Sequence, residues 1–176
     1  MSDLWVFGYG SLMWRPGFEF SERHPARLHG YHRSFCVFSH HHRGTPEVPG
    51  LVFGLDTGGS CRGIAYRVPG ERAQETKAYL QAREQVTGVY IDQVRPVMLL
   101  PDRRRVPALV YVVDRTHQQY AGKLSFEDQV RLIIRGVGQS GRNPEYLEQT
   151  VRHLVEMGIR DDGLMRLWQA VAENLR

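Results

Sequence analysis

Apolar residues change their spacing once along this chain, and that change limits the fold more than any other feature. Between residues 4 and 113 the apolar runs are only four to seven residues long and are broken by glycine, proline or charge. Runs of that length suit strands. From Ser125 onward apolar residues instead recur at offsets of three and four, as on a buried helix face. Most strands therefore come first and most helices last. Repeated strand–helix units are missing, which disfavours a doubly wound parallel sheet. The expected class is α+β (mixed α/β), with a small, partly closed, mainly antiparallel sheet or barrel and helices outside it.

The strand candidates are Leu4–Phe7, Arg33–Phe38, Leu51–Leu55, Ile64–Val68, Val94–Leu100 and Ala108–Val113. Asp56-Thr57-Gly58-Gly59-Ser60 separates the third from the fourth, which predicts a hairpin with a glycine-rich connection. The polar run Pro101 to Arg105 reads as a solvent loop. A first helix is expected over about Glu71–Gln85, where Ala, Glu, Gln, Lys and Leu dominate. Ser125 and Asp128 stand in a capping-box-like relation ahead of Val130, Ile133, Ile134 and Val137. Asn143-Pro144 reads as an N-cap and first-turn pair, followed by Leu147, Val151, Leu154 and Val155 on the buried side. Leu164, Leu167, Trp168 and Val171 mark the last helix.

With 176 residues, 41% apolar and 24% charged, the composition suits one soluble globular domain spanning the whole chain, residues 1–176, and excludes a disordered one. Lys and Arg total 23 against 19 acidic residues, for a net charge of +4. That excess fits an anionic small molecule or nucleic acid and selects neither. No secretory signal or bilayer-length apolar run is visible, so a cytoplasmic protein with no membrane association is expected. Cys36 and Cys61 are the only cysteines and lie among apolar neighbours, as buried thiols would.

Three segments carry chemical interest. Gly8-Tyr9-Gly10-Ser11-Leu12 follows the first strand. It lacks the third glycine of a dinucleotide fingerprint and the second glycine of a nucleophile elbow. It reads either as a nest of backbone N–H groups for a carboxylate or as a plain sharp turn. Glu84 sits near a helix C-terminus, where the helix dipole does not favour its charge; it reads as a general base or as a surface residue paired with Arg83 or Lys77. Gly136 to Tyr146 joins two helices and offers backbone amides, the Ser140 hydroxyl, Arg142 and the Tyr146 phenol. It reads as a ligand loop or as a capping loop.

Two other signals count for less. His40-His41-His42 on a strand would point to alternate faces, so no metal site is expected. Arg103-Arg104-Arg105 lacks any accompanying nucleic-acid motif, so no nucleic-acid partner is expected.

Together these stretches resemble the ChaC-like gamma-glutamylcyclotransferases, in their glutathione-specific branch. The matching pieces are Trp5 to Trp14, Ser39 with His42-Arg43-Gly44-Thr45-Pro46, Cys61 to Arg67, Tyr79-Leu80 with Arg83-Glu84, and Ser140-Gly141-Arg142-Asn143 with Tyr146-Leu147. They occur in family order across nearly the whole chain. The resemblance implies a carbon–nitrogen lyase that cleaves glutathione to 5-oxoproline and L-cysteinylglycine without cofactor or metal. It places the catalytic glutamate at Glu84 and substrate binding at Tyr9, Gly10, Ser11, Leu12, Ser39, Arg43, Arg142 and Tyr146. Relatives often carry aspartate where this chain has His41. Other gamma-glutamyl amides as substrates, and a non-catalytic small-molecule-binding module, are the alternative readings.

Overall fold

A computed structural model describes residues 1–176. The chain divides into two compact units. Residues 1–34 and 54–117 form the first, and residues 35–53 and 118–176 form the second. The chain passes between them inside two long strands and once more after residue 117.

In the first unit the strands β1 (Leu4–Gly8), β2 (Glu22–Ser39), β3 (Gly50–Val68), β4 (Tyr90–Leu99) and β5 (Arg105–Val113) close into a barrel. Their order around it is β1-β3-β2-β4-β5; β2 and β3 run on into the second unit. β1 pairs antiparallel with β3, Val6 opposite Tyr66, and parallel with β5, Val6 opposite Leu109. β4 and β5 form a hairpin around residues 101–104, in the segment read as a solvent loop, with Asp92 opposite Tyr111. A short 3-10 turn leads into α1 (Ala73–Glu84), whose fully buried Leu80 packs against Val6, Leu12, Val68, Leu109 and Tyr111.

One strand expectation needs correction. Residues 51–68 are not a hairpin: β3 runs unbroken from Gly50 to Val68. Gly58 and Gly59 have φ of 107° and 66°, so they bend the strand without reversing it. Gly58 stays anchored through its carbonyl to His32 Nδ1 at 3.0 Å. The strand expected over Arg33–Phe38 likewise begins at Glu22, despite Pro25 and Gly30.

The second unit packs α2 (Phe126–Arg135), α3 (Asn143–Glu156) and α4 (Asp162–Asn174) against one another. Ser125 caps α2 by accepting from Asp128 N at 3.1 Å, as its sequence context indicates. Asp161 caps α4 through Leu164 N. Leu147, Val151 and Leu154 are buried on α3, and Leu164, Leu167 and Val171 on α4. Val137 lies past the end of α2 and Val155 faces solvent at 61% exposure, so neither extends its predicted stripe. No helix is long and apolar enough to cross a membrane. Both cysteines are buried, and neither is in a disulfide.

Candidate active site

The loop after β1 is shaped by contacts that the sequence does not display. Gly8 ends the strand so close to the next turn that a Cβ there would lie 2.9 Å from Leu12 Cβ. Ser11–Met13 then form a 3-10 turn, closed by Met13 N donating to Gly10 O at 2.9 Å and Arg15 N to Ser11 O at 2.7 Å. The N–H groups that open such a turn have no acceptor inside it. Three side chains fix the loop. Arg33 donates from Nε to Tyr9 O at 2.8 Å and from Nη2 to Arg62 O at 2.7 Å. The fully buried Tyr66 hydroxyl reaches Leu12 O at 2.8 Å and Met13 O at 2.9 Å. Burial raises the Tyr66 phenol above its ordinary range, so it remains a donor.

Arg83 is the third. It donates from Nη2 to Ser11 Oγ at 2.8 Å and from Nη1 to Arg15 O, Pro16 O and Tyr79 Oη at 2.7, 3.2 and 3.1 Å. Its Nε lies 3.5 Å from Glu84 Oε1. Glu84 is the last residue of α1, with only 17% of its side chain exposed. Burial holds its carboxyl above the usual glutamate range, and the Arg83 charge opposes that rise in part. The Glu84 charge is also felt at Tyr111. Burial, then Asp92, then Glu84 push that phenol up to about 12. Next along the chain, Gln85 Nε2 donates to Tyr90 O and Asp92 Oδ1 at 3.2 and 3.3 Å. The helix end bearing Glu84 is thereby tied to β4.

Tyr9, Gly10, Ser11, Leu12 and Glu84 thus all belong to the first unit, with Arg83 between loop and carboxylate. Such an arrangement can move a proton at Glu84 beside a loop that offers N–H groups. Sequence reasoning named Arg83 as an ion-pair partner of Glu84 and as part of the family resemblance, but gave neither it nor Arg33 nor Tyr66 a part in holding the loop. All three make long-range hydrogen bonds to backbone carbonyls, which leave no spacing signature, and Arg83 adds one to the Ser11 hydroxyl.

Ser39, Arg43, Arg142 and Tyr146 belong to the second unit, where they meet one another. Ser39 Oγ accepts from Arg43 N at 2.9 Å, and Arg43 Nη1 donates to Arg142 O at 3.2 Å. The Arg43 guanidinium carbon lies 5.5 Å from the Tyr146 ring centroid, at cation–π distance. Tyr146 Oη accepts from Phe53 N at 3.3 Å, and its ring meets Phe35 and Phe53.

The glycine-rich connection between α2 and α3 departs from expectation. It contains a two-residue ribbon, β6 (Val137–Gly138) with β7 (Gly141–Arg142). The amides of Gln139 and Ser140, which a ligand loop would leave available, donate instead to His41 O and His42 O at 2.8 and 2.9 Å. Gly138 is glycine because a Cβ would lie 2.4 Å from His41 O. His42 Nδ1 lies 2.9 Å from Ser140 Oγ, so part of the histidine run braces this ribbon. Asn143 does not cap α3 either. Arg142 is the N-cap, and Asn143 is fully buried, with its amide on the backbone of Leu51.

The sequence model of the ChaC-like protein family matches residues 4–174. An Escherichia coli glutathione-specific gamma-glutamylcyclotransferase is 37% identical over 172 residues, which is 98% of this chain and 74% of the relative. Human glutathione-specific gamma-glutamylcyclotransferase 1 is 38% identical over 149 residues, 82% of this chain and 66% of the relative. The crystal structure of a yeast gamma-glutamyl cyclotransferase specific to glutathione superposes with a TM-score of 0.86 at 28% identity, covering 99% of this chain and all of that one.

Proposed function

This chain belongs to the ChaC-like family, and from that premise we propose that it is a glutathione-specific gamma-glutamylcyclotransferase with Glu84 as its proton carrier. The structural observation behind this reading is one guanidinium touching both parts of the machinery. Arg83 holds the Ser11 hydroxyl of the loop and stands beside the Glu84 carboxylate.

The reaction is an intramolecular aminolysis. The alpha-amino nitrogen of the gamma-glutamyl group attacks its own gamma-carbonyl carbon. A carbon–nitrogen bond forms in a five-membered lactam, the bond to the cysteinyl nitrogen breaks, and no water is consumed. Nucleophile and leaving group both belong to the substrate, so the step calls for no cofactor. Its obstacle is that an ammonium has no lone pair. Glu84 takes one proton from the ammonium to free the lone pair. The nitrogen gives up a second once it has attacked, and the departing cysteinyl nitrogen takes up both and leaves as an ammonium, with Glu84 as the carrier. A carboxyl whose proton affinity is raised by burial suits both halves, because giving the proton back becomes easier.

The loop Tyr9-Gly10-Ser11-Leu12 holds the gamma-glutamyl moiety through its N–H groups. Holding it in a curled form brings amine and carbonyl together, which is catalysis by orientation. Ser39, Arg43, Arg142 and Tyr146 are assigned as further substrate contacts. Their positive charge at Arg43 and Arg142 suits an anionic tripeptide. Two cysteines outside any disulfide and a tripeptide thiol substrate fit a reducing, cytoplasmic setting.

The test is incubation of the purified protein with glutathione, followed by mass spectrometry. Equimolar 5-oxoproline and cysteinylglycine are expected, with other gamma-glutamyl amides turned over more slowly. Free glutamate as the first product would overturn cyclisation. Equal turnover of a gamma-glutamyl amine would overturn the specificity.

A further inference from the structure

We infer that Arg83 is a positioning residue of the cyclisation, a clasp that sets the substrate loop and the Glu84 carboxylate in register with each other. The inference rests on the function proposed above. Its observations are geometric. Arg83 spends Nη2 on Ser11, where the loop turns, and Nη1 on the carbonyls of Arg15 and Pro16, where the loop leaves. Its Nε faces Glu84 at 3.5 Å. Tyr79 lies one helical turn earlier and adds its hydroxyl to the same guanidinium at 3.1 Å.

Gly17 completes the arrangement. Its φ of 77° is one that glycine adopts freely, and a Cβ there would lie 2.0 Å from Tyr79 Oη. The segment from Ser11 to Gly17 is thus laid against Tyr79 and Arg83 on α1. Arg83 is about four-fifths shielded, with 20% of its side chain exposed. A planar fork with five N–H groups serves all of these acceptors together, whereas an ammonium on a flexible stem does not. The consequence is mechanical and electrostatic. The loop that holds the gamma-glutamyl group and the group that takes its proton share one support, and the support carries the cation that favours ionised Glu84.

Charge and fork are separable by substitution. Steady-state kinetics on glutathione across pH would compare wild type with Arg83→Ala, Arg83→Gln and Arg83→Lys, alongside thermal unfolding. Arg83→Ala and Arg83→Gln are expected to lose roughly tenfold or more in kcat/KM. Their acidic limb should move to higher pH, because Glu84 keeps its burial and loses the opposing cation. Arg83→Lys should restore the limb to the wild-type position but leave KM raised, since a lysine cannot replace most of the hydrogen bonds that Arg83 gives the loop. The inference fails if all three variants keep the wild-type limb and KM. It also fails if Arg83→Lys moves the limb as far as Arg83→Ala, which would mark a purely structural role. If Arg83→Ala does not fold, the glutamine and lysine variants decide. If wild type itself releases no 5-oxoproline, the fault lies with the functional reading and not with the clasp.

Discussion

Asn143 grips Leu51 by both backbone atoms: its Oδ1 accepts from Leu51 N at 2.8 Å and its Nδ2 donates to Leu51 O at 2.9 Å. A side-chain amide here stands in for a neighbouring strand and satisfies two groups that burial would otherwise leave costly. Asn143→Ala leaves both without partners. A loss of about 2–4 kcal/mol is expected, read as a lower denaturation midpoint at unchanged slope. Asn143→Asp keeps the acceptor, loses the donor and buries a charge, so it should cost more than alanine.

Glu84→Gln keeps the shape of the side chain and removes its proton chemistry. A fall of about 100- to 10,000-fold in kcat is expected with KM little changed. The assay is release of cysteinylglycine by the purified variant.

The same variant makes an opposite prediction for stability. Burial raises the Glu84 carboxyl above its usual value of 4.5, so ionising it costs the folded state. The protonated carboxyl's advantage is fully present below that pH and is lost as pH rises through the folded value. Glu84→Gln never ionises. It should therefore melt at a higher temperature than wild type near neutral pH, and the two curves should converge below pH 4.5. Thermal scans across pH check for an inactive protein that is more stable at neutral pH and equally stable in acid.

Tyr66→Phe removes only a hydroxyl, yet that hydroxyl serves two carbonyls at the end of the 3-10 turn. A cost of about 1–3 kcal/mol is expected from the unpaired buried acceptors. Because the turn belongs to the substrate loop, KM for glutathione should rise as well. A stability loss with KM unchanged would show that the loop does not depend on this anchor.

Gly44→Ala tests why the His-Arg-Gly segment contains glycine. A Cβ there would lie 2.1 Å from Gly50 N and 2.5 Å from Ser39 O, both backbone atoms that cannot swing aside. Destabilisation of about 2 kcal/mol or more is expected. Gly30→Ala serves as the contrast in the same unfolding assay. Nothing lies within 4 Å of its added Cβ, and only its φ of 93° is penalised.

Much of the architecture and part of the site were legible in the residues. Strand-sized runs and helix stripes separate cleanly along the chain, because periods of two and of three to four are local properties. Ser125 capped its helix as read, since a cap needs only residues three apart. The glycines at 58 and 59 misled, because a bend within a strand and a hairpin turn call for the same residues. Asn143 misled for a related reason. Its place before proline suits a cap, and only the buried backbone of Leu51, 92 residues away, claims its amide instead.

By itself, then, the sequence determined the order of strands and helices, the buried faces, and which loop and which glutamate were worth watching. Each of those follows from chemistry carried within a few neighbouring positions. Tertiary structure alone decided that Arg83 reaches Ser11 and Arg15, that Arg33 and Tyr66 hold the carbonyls of the loop, and that the amides of Gln139 and Ser140 are consumed by His41 and His42. Those contacts join residues tens of positions apart. A hydrogen bond to a backbone carbonyl, which every residue carries, leaves no mark on the partner's identity.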